Sequence, residues 1–225
     1  MVATGNSVKK FIVGDQVFGS TGARFGAYAE YIALPASYPI IHKPEDIPHV
    51  VATTILVGGV HALHFLRLAQ LQPGQDIVIV AACGCIGTFA VQIAKHWGAK
   101  VTAIASAEKL HTLGALGADH VLDYNQVDFT ETNKQYDVIF DIDGLWPMLR
   151  AVITRRITDK RIITKLARVT DADLHTLCKQ ISEKNLEASI DKTYELKDIV
   201  EAHRYIDTGQ KKAHVALLLE NAIEH

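Results

Sequence analysis

Cysteine is scarce in this chain, which has only Cys83, Cys85 and Cys178 among its 225 residues. Three cysteines are too few and too uneven for a disulfide framework, so they indicate a reducing compartment. Cys83 and Cys85 lie in a glycine-rich turn, where small residues beside a phosphate are the simplest interpretation. The alternatives are metal binding, which needs further ligands, and a redox thiol stabilised by a helix N-terminus.

An excess of charge of one sign is also absent. The 23 basic and 25 acidic side chains give a net charge of -2, so no field attracts nucleic acid or an anionic membrane. No segment resembles a signal peptide, and no run approaches the roughly 20 apolar residues that span a bilayer. The chain is therefore predicted to be cytoplasmic, without nucleic-acid or membrane partners.

The histidines show no metal-binding pattern either. Among 11 histidines, His61 and His64 have the spacing that places two side chains on one helix face. No third ligand lies near them in the sequence, so no metal site is predicted.

The most informative segment that is present is DIVIVAACGCIG, residues 76–87. An apolar run ends there in Gly84 and Gly87 and leads directly into the helical stretch TFAVQIAKHWGA. The first N–H groups of a helix have no intrahelical partner, and the helix dipole adds positive charge to them, so a phosphate can bind there. Gly84 would let the backbone approach that phosphate, and Gly87 would let the helix approach the strand.

Further short apolar runs follow this turn. We predict strands at 100–105, 120–123 and 136–141, and a helix at 108–117. Strands that alternate with helices indicate a parallel sheet covered on both faces. Residues 75–143 are therefore predicted to form a Rossmann-type core.

The flanking segments are less regular. Residues 9–35 are rich in glycine and in β-branched or aromatic residues, which predicts short antiparallel strands joined by turns. The other expected elements are a helix at 50–70 with a break at Gly58-Gly59, a strand at 161–169, a helix from Asp171, a helix at 196–207 and a strand at 213–219.

Several motifs together resemble the medium-chain dehydrogenase/reductase superfamily, in particular its zinc-independent quinone reductase-like branch. They are VGDQVFG (13–19), GAYAEYIALP (26–35), LQPGQDIVIVAACGCIGTFAVQIAKHWGAKV (71–101), LGADHVLDY (116–124), YDVIFDIDG (136–144) and AHRYIDTGQKK (202–212). The resemblance implies an α/β fold: a Rossmann doubly wound parallel sheet plus an incomplete GroES-like β domain. The implied division is a partial GroES-like catalytic domain at 1–45, the dinucleotide-binding domain at 46–170, and a segment at 171–225 that returns to the catalytic domain.

The sequence also differs from the family pattern in several places. The first strands of the GroES-like domain are expected to be missing, and the stretch after Gly144 looks shortened or replaced. That stretch includes a strand which relatives often use in dimer contacts, so a homodimer is one expected assembly. His61 stands where relatives more often have a threonine near the nicotinamide.

In this family the AxxGxxG turn, here Ala81, Gly84 and Gly87, binds a dinucleotide. The expected cofactor-binding residues are Ala82, Cys83, Gly84, Cys85, Ile86, Gly87, Ser106, Lys109 and Tyr124. Ser106, Lys109 and Tyr124 imply NADPH, because an acidic residue at the end of the second strand would instead select the free ribose of NADH. Glu108 could be such a residue, although its position favours the start of the next helix.

The implied reaction is zinc-independent hydride transfer from NADPH to a quinone or an α,β-unsaturated carbonyl, with no catalytic side chain assigned. The cofactor would supply that chemistry, and the protein would supply proximity and electrostatics. Two alternatives remain at this point. One is an NADPH-binding remnant or regulatory module that does not turn over, and the other is a methyltransferase-like enzyme with a different adenine cofactor.

Overall fold

The computed structural model describes residues 1–128, 134–142 and 167–219. Its strands are β1 (Val17–Gly19), β2 (Ile40–His42), β3 (Asp76–Val80), β4 (Lys100–Ala105), β5 (His120–Asp123), β6 (Val138–Asp141), β7 (Ile190–Glu195) and β8 (His214–Leu218). Its helices are α1 (His49–Thr54), α2 (Val60–Leu68), α3 (Cys85–His96), α4 (Leu110–Ala115), α5 (Asp171–Ser182) and α6 (Ile199–Asp207).

The central sheet is parallel and has the order β5-β4-β3-β6. Ile77 of β3 pairs with Val101 of β4 on one side and with Val138 of β6 on the other. This arrangement confirms the predicted Rossmann-type core. The chain proceeds outward from β3 to β5 and then returns to the other side of β3, so the direction of winding reverses between β3 and β6. Ligands of open α/β sheets bind at the carboxyl ends of the strands beside such a point.

Helix α3 covers one face of this sheet. Its inward positions are small or apolar, and Phe89, Ala90, Val91 and Ala94 are completely buried. Thr88 and Gln92 are buried polar residues of this helix. The Gln92 amide donates to the Thr88 and Glu187 carbonyls and accepts from the Glu187 N–H. The helix is followed by Gly98 at φ 81°, a conformation that glycine adopts without strain and that commonly stops helices.

A second long helix runs from His49 to Leu68 and is continuous. The expected break at Gly58-Gly59 is wrong, because Ile55–Gly59 forms a π-helical turn that joins α1 to α2. Its most apolar 18-residue window has a mean hydropathy of 1.5, and the helix has the length and composition of a membrane span. The expectation that no run approaches this length is therefore wrong. Half of its most apolar window is buried inside the protein, which is the property of a core helix.

The N-terminal region, residues 1–48, contains little regular structure. Its two strands, β1 and β2, have three residues each and pair antiparallel. Of the strands expected within residues 9–35, only β1 is present. The motif at 26–35 instead leaves large apolar side chains exposed, namely Tyr28, Tyr31 and Ile32.

The C-terminal region places a second parallel pair, β7-β8, beside the core. Helix α5 begins as predicted, with the Thr170 hydroxyl accepting a hydrogen bond from the Asp173 N–H. Strand β7 was not predicted, and most of the strand expected at 161–169 lies outside the described residues. The division of the chain at residues 45 and 170 stays a prediction.

Candidate functional site

The glycine-rich turn connects the carboxyl end of β3 to the first residue of α3. Ala81 leaves the strand with a positive φ of 54°, and the Gly84 N–H then donates to the Ala81 carbonyl at 3.0 Å. The chain therefore reverses within a few residues. A positive φ is uncommon outside glycine and is concentrated at tight turns and functional sites.

The two glycines of the turn have different surroundings. A Cβ on Gly87 would lie 2.5 Å from the Ala82 carbonyl oxygen, so α3 packs directly on the backbone of the turn. Among the described residues, a Cβ on Gly84 would come within 4 Å of a single atom, the Ala81 oxygen at 3.3 Å. Gly87 is therefore required for helix–strand packing, whereas Gly84 keeps the outer surface of the turn free of a side chain.

Gly84 is also the N-cap residue of α3, and no side chain caps this helix. The first-turn N–H groups consequently have no side-chain acceptor, and the dipole of a 12-residue helix adds positive charge at the same point. This geometry suits a phosphate, which supplies several acceptor oxygens and negative charge.

Two further predicted residues lie at the same sheet edge. Ser106 follows β4 and Tyr124 follows β5, and the Tyr124 N–H donates to the Ala105 carbonyl at 3.2 Å. The Ser106 hydroxyl donates to a Glu108 carboxylate oxygen at 3.4 Å. The Glu108 carboxylate thus lies beside the position expected to hold a 2′-phosphate. The alternative that Glu108 binds the free ribose of NADH therefore stays open.

Lys109, the third predicted residue after β4 and β5, contacts the C-terminal part of the chain. Its ammonium donates to the backbone carbonyls of Gly209 at 3.4 Å and Lys211 at 3.2 Å. Lys109 therefore holds the C-terminal segment against the turn.

That C-terminal segment, residues 209–213, is the part of the site that sequence reasoning missed. The Ala213 N–H donates to the Cys83 carbonyl at 2.7 Å, and the Cys85 thiol donates to the Ala213 carbonyl at 3.1 Å. Residues at least 128 positions apart are thereby joined at the turn. The local sequence around Ala213 does not predict this contact. In the structure Ala213 has a positive φ of 63°.

The three thiols have unequal environments. Burial raises the pKa of Cys83, with Lys109 and Lys212 acting in the opposite direction. Burial, followed by the charge of Asp46, raises the pKa of Cys178 to about 11. Cys85 is half-buried and lies against the Lys211 ammonium at 3.2 Å. These positions favour the interpretation of Cys83 and Cys178 as packing residues.

His214, the first residue of β8, is a buried polar residue behind the turn. Burial, as the largest cause, lowers its pKa to about 4, so the ring is neutral near pH 7. One ring nitrogen lies 3.2 Å from the Ser189 carbonyl, and the Thr54 backbone also faces the ring. The ring packs edge-on to Phe89 and leaves no space for a Cβ at Gly58.

His61 and His64 do not belong to a ligand set among the described residues, where no group of three or more histidine, cysteine or carboxylate side chains could hold a metal ion. A ring nitrogen of His61 lies 2.7 Å from the Val57 carbonyl on its own helix. His64 packs edge-on to Phe65.

Comparison with known proteins identifies the family. Two family models, each described as zinc-binding dehydrogenase, match residues 85–154 and 143–217, and together they span more than half of the chain. A quinone oxidoreductase from Coxiella burnetii has the same fold, with a TM-score of 0.86 and 26% identity over 95% of this chain and 75% of its own. The chain belongs to the medium-chain dehydrogenase/reductase superfamily, in its quinone reductase-like branch. The resemblance seen in the sequence is therefore confirmed.

Relatives by sequence carry related names. An NADPH-dependent alkenal/one oxidoreductase of Arabidopsis thaliana is 32% identical over 64% of this chain but only 40% of its own length. A quinone oxidoreductase of Triphysaria versicolor is 27% identical over 90% of this chain and 72% of its own length. The chain thus matches about two fifths of the first of these relatives and nearly three quarters of the second.

Proposed function

We propose that this protein is an NADPH-dependent oxidoreductase that transfers hydride to a quinone or an α,β-unsaturated carbonyl. The observation that carries the proposal is the β3–α3 turn, where an uncapped helix N-terminus lies behind a surface without side chains at Gly84. It occupies the carboxyl edge of the sheet beside the β3–β6 reversal, which is where dinucleotides bind in this type of fold. The names of the relatives support the reaction class.

The residues of the turn fit a pyrophosphate. Backbone N–H groups of Cys85, Ile86 and Gly87 would bind it, while Ala82 and Cys83 shape the turn behind them. Ser106, Lys109 and Tyr124 would surround the adenosine ribose, because they follow the carboxyl ends of the neighbouring strands. When bound, the nicotinamide supplies the hydride, and the protein orients it and excludes water.

We propose NADPH over NADH because Ser106 can donate to a 2′-phosphate and Lys109 adds positive charge nearby. Glu108 opposes this choice, since its carboxylate accepts the Ser106 hydroxyl. Binding of a 2′-phosphate would require that hydroxyl to turn from the carboxylate to the phosphate.

The test is a titration of the purified protein with NADPH and with NADH, followed by addition of a quinone or an enone. We expect tighter binding of NADPH and acceptor-dependent oxidation of it. Ser106→Asp places a like charge beside the 2′-phosphate and should weaken NADPH by about 100-fold with little change for NADH. Lys179→Gln, an exposed residue of α5, is the control.

Three results would contradict the proposal in different ways. Binding without oxidation of any acceptor would indicate a nucleotide-binding module without turnover. An equal loss of affinity for NADPH and NADH in Ser106→Asp would refute the placement of the 2′-phosphate beside Ser106. Binding of S-adenosylmethionine in place of either dinucleotide would refute the reaction class.

A further inference from the structure

Lys211 occupies an electrostatically unusual position. Its ammonium nitrogen lies 3.2 Å from the sulfur of Cys85, the first residue of α3, and 3.3 Å from the Ala213 carbonyl oxygen. Positive side chains normally stabilise the C-terminal ends of helices, where the dipole is negative. Here a half-buried ammonium lies at the positive end of a 12-residue helix.

Lys211 forms no ion pair with an acidic side chain in the part of the chain that the structure describes, and the nearby Asp191 carboxylate accepts the Lys212 N–H and the Tyr205 hydroxyl. Within residues 1–128, 134–142 and 167–219, the ion pairs between side chains involve none of Lys109, Lys211 or Lys212. The acceptors of Lys211 are a thiol sulfur, which is a weak acceptor, and one carbonyl. Three lysines and a helix dipole therefore add positive charge around one short turn, and local conflicts of this kind concentrate at functional sites.

The backbone holds Lys211 in this place from both sides. Lys109 donates to the Lys211 carbonyl, the Lys212 N–H donates to the Asp191 carboxylate at 2.8 Å, and the Ala213 N–H donates to the Cys83 carbonyl. These bonds hold the segment over the turn in the structure without a ligand. An ammonium that is already positioned costs little to order when an anion arrives.

We propose that Lys211 is a cofactor-binding residue that contacts the pyrophosphate of the dinucleotide. The inference rests on the proposed function and adds to it a residue from the opposite end of the chain. On binding, the ammonium exchanges the Cys85 sulfur for a phosphate oxygen, and the hydrogen bond becomes charge-assisted. Because NADPH and NADH share the pyrophosphate, Lys211 sets affinity for both, whereas Ser106 discriminates between them.

The test measures dissociation constants of NADPH, NADH and adenosine for the wild type, Lys211→Gln, Lys211→Arg and the control Lys179→Gln. In Lys211→Gln we expect both dinucleotides to weaken by the same factor, about 10- to 100-fold, which is the range for a hydrogen bond to a charged group. Adenosine lacks the pyrophosphate and should bind unchanged. Lys211→Arg should stay within about threefold of the wild type, because it keeps the charge.

The salt dependence of dinucleotide affinity is a second readout, and it would not change if Lys211 had a purely structural role. The wild type should lose dinucleotide affinity with rising salt more steeply than Lys211→Gln, because one cation–phosphate contact is missing in the variant. Equal salt dependence would count against the proposal.

The remaining outcomes separate the two proposals. If the wild type binds dinucleotide and Lys211→Gln binds it equally well, Lys211 is not a ligand and the proposed function stands. Weaker binding of NADPH alone would assign Lys211 to the 2′-phosphate. Weaker binding of adenosine together with both dinucleotides would indicate a structural defect. Either result overturns the inference. If the wild type binds neither dinucleotide, both proposals fail.

Discussion

The central sheet and the N-terminal region differ sharply in how they use apolar residues. Ile77, Val78 and Ile79 of β3 are completely buried. In the N-terminal region Phe25 is 77% exposed and Tyr31 is 68% exposed. Phe18, Ile41 and Ile47 of the N-terminal region join the same apolar core as the sheet and α3, so the difference lies in the segment around residues 25–32. Most of the apolar side chains between residues 25 and 32 contribute nothing to that core.

The difference has an energetic consequence. Apolar area removed from water stabilises the folded state by roughly 25 cal/mol per Å². Side chains of the sheet and of α3 gain this stabilisation, whereas exposed ones of the N-terminal region do not. Stability and cofactor binding should therefore respond to changes in the same part of the chain.

The largest effect is expected from truncating the core. Phe89→Ala removes a completely buried ring from α3 and should lower the free energy of unfolding by about 3–5 kcal/mol. Phe25→Ala, the same change at an exposed position, should change it by less than about 0.5 kcal/mol. Urea denaturation of both variants measures the contrast, and similar losses would show that the N-terminal region has a core of its own.

A smaller effect is expected from acid through His214. The unfolded histidine titrates near 6.5 and the folded one near 4, so between these values the unfolded state alone binds the proton. Stability is thus fully present above pH 6.5 and is lost as pH falls to about 4, by about 3 kcal/mol.

Measurement of unfolding from pH 7 to pH 4 tests this prediction. His214→Gln should flatten the decline, while His120→Gln at the exposed start of β5 should keep it. A steep decline in His214→Gln would assign the acid sensitivity to other groups.

The third effect distinguishes a glycine packed tightly against backbone from a glycine in open space. Gly87→Ala places a Cβ 2.5 Å from a backbone oxygen and should destabilise the protein by about 1–3 kcal/mol. In α4, Gly114 has open space around its Cβ position, so Gly114→Ala should stabilise by about 0.5–1 kcal/mol. Thermal unfolding of the pair provides the measurement, and equal midpoints would refute the tight packing at Gly87.

The sequence predicted the parts of the molecule that are formed by local patterns. The strands β3 to β6 are short apolar runs, and the turn at Gly84 and Gly87 has a recognisable spacing. Strand β7, with the sequence IDKTYE, alternates poorly and is only partly buried, so its pairing with β8 gave no periodic signal. The expected strands near residues 26–35 rested on composition alone, which does not supply a pairing partner.

The candidate site likewise combines residues from one local segment with contacts between segments far apart in the sequence. Gly84 and Gly87 were predictable because one segment contains both. The placement of Lys211 beside Cys85 depends on a return of the chain over 126 residues, and the role of Lys109 as a tether depends on the same return. Such contacts follow from tertiary packing, for which single-sequence patterns carry no information.

The most direct test of the account compares NADPH binding by the wild type and by Gly84→Val. The variant should remain folded, because the nearest atom to a new Cβ is a single carbonyl oxygen at 3.3 Å. Its branched side chain should occupy the surface that the pyrophosphate needs and weaken NADPH by at least about 100-fold. A folded Gly84→Val protein that binds NADPH as tightly as the wild type would contradict the assignment of the dinucleotide to this turn.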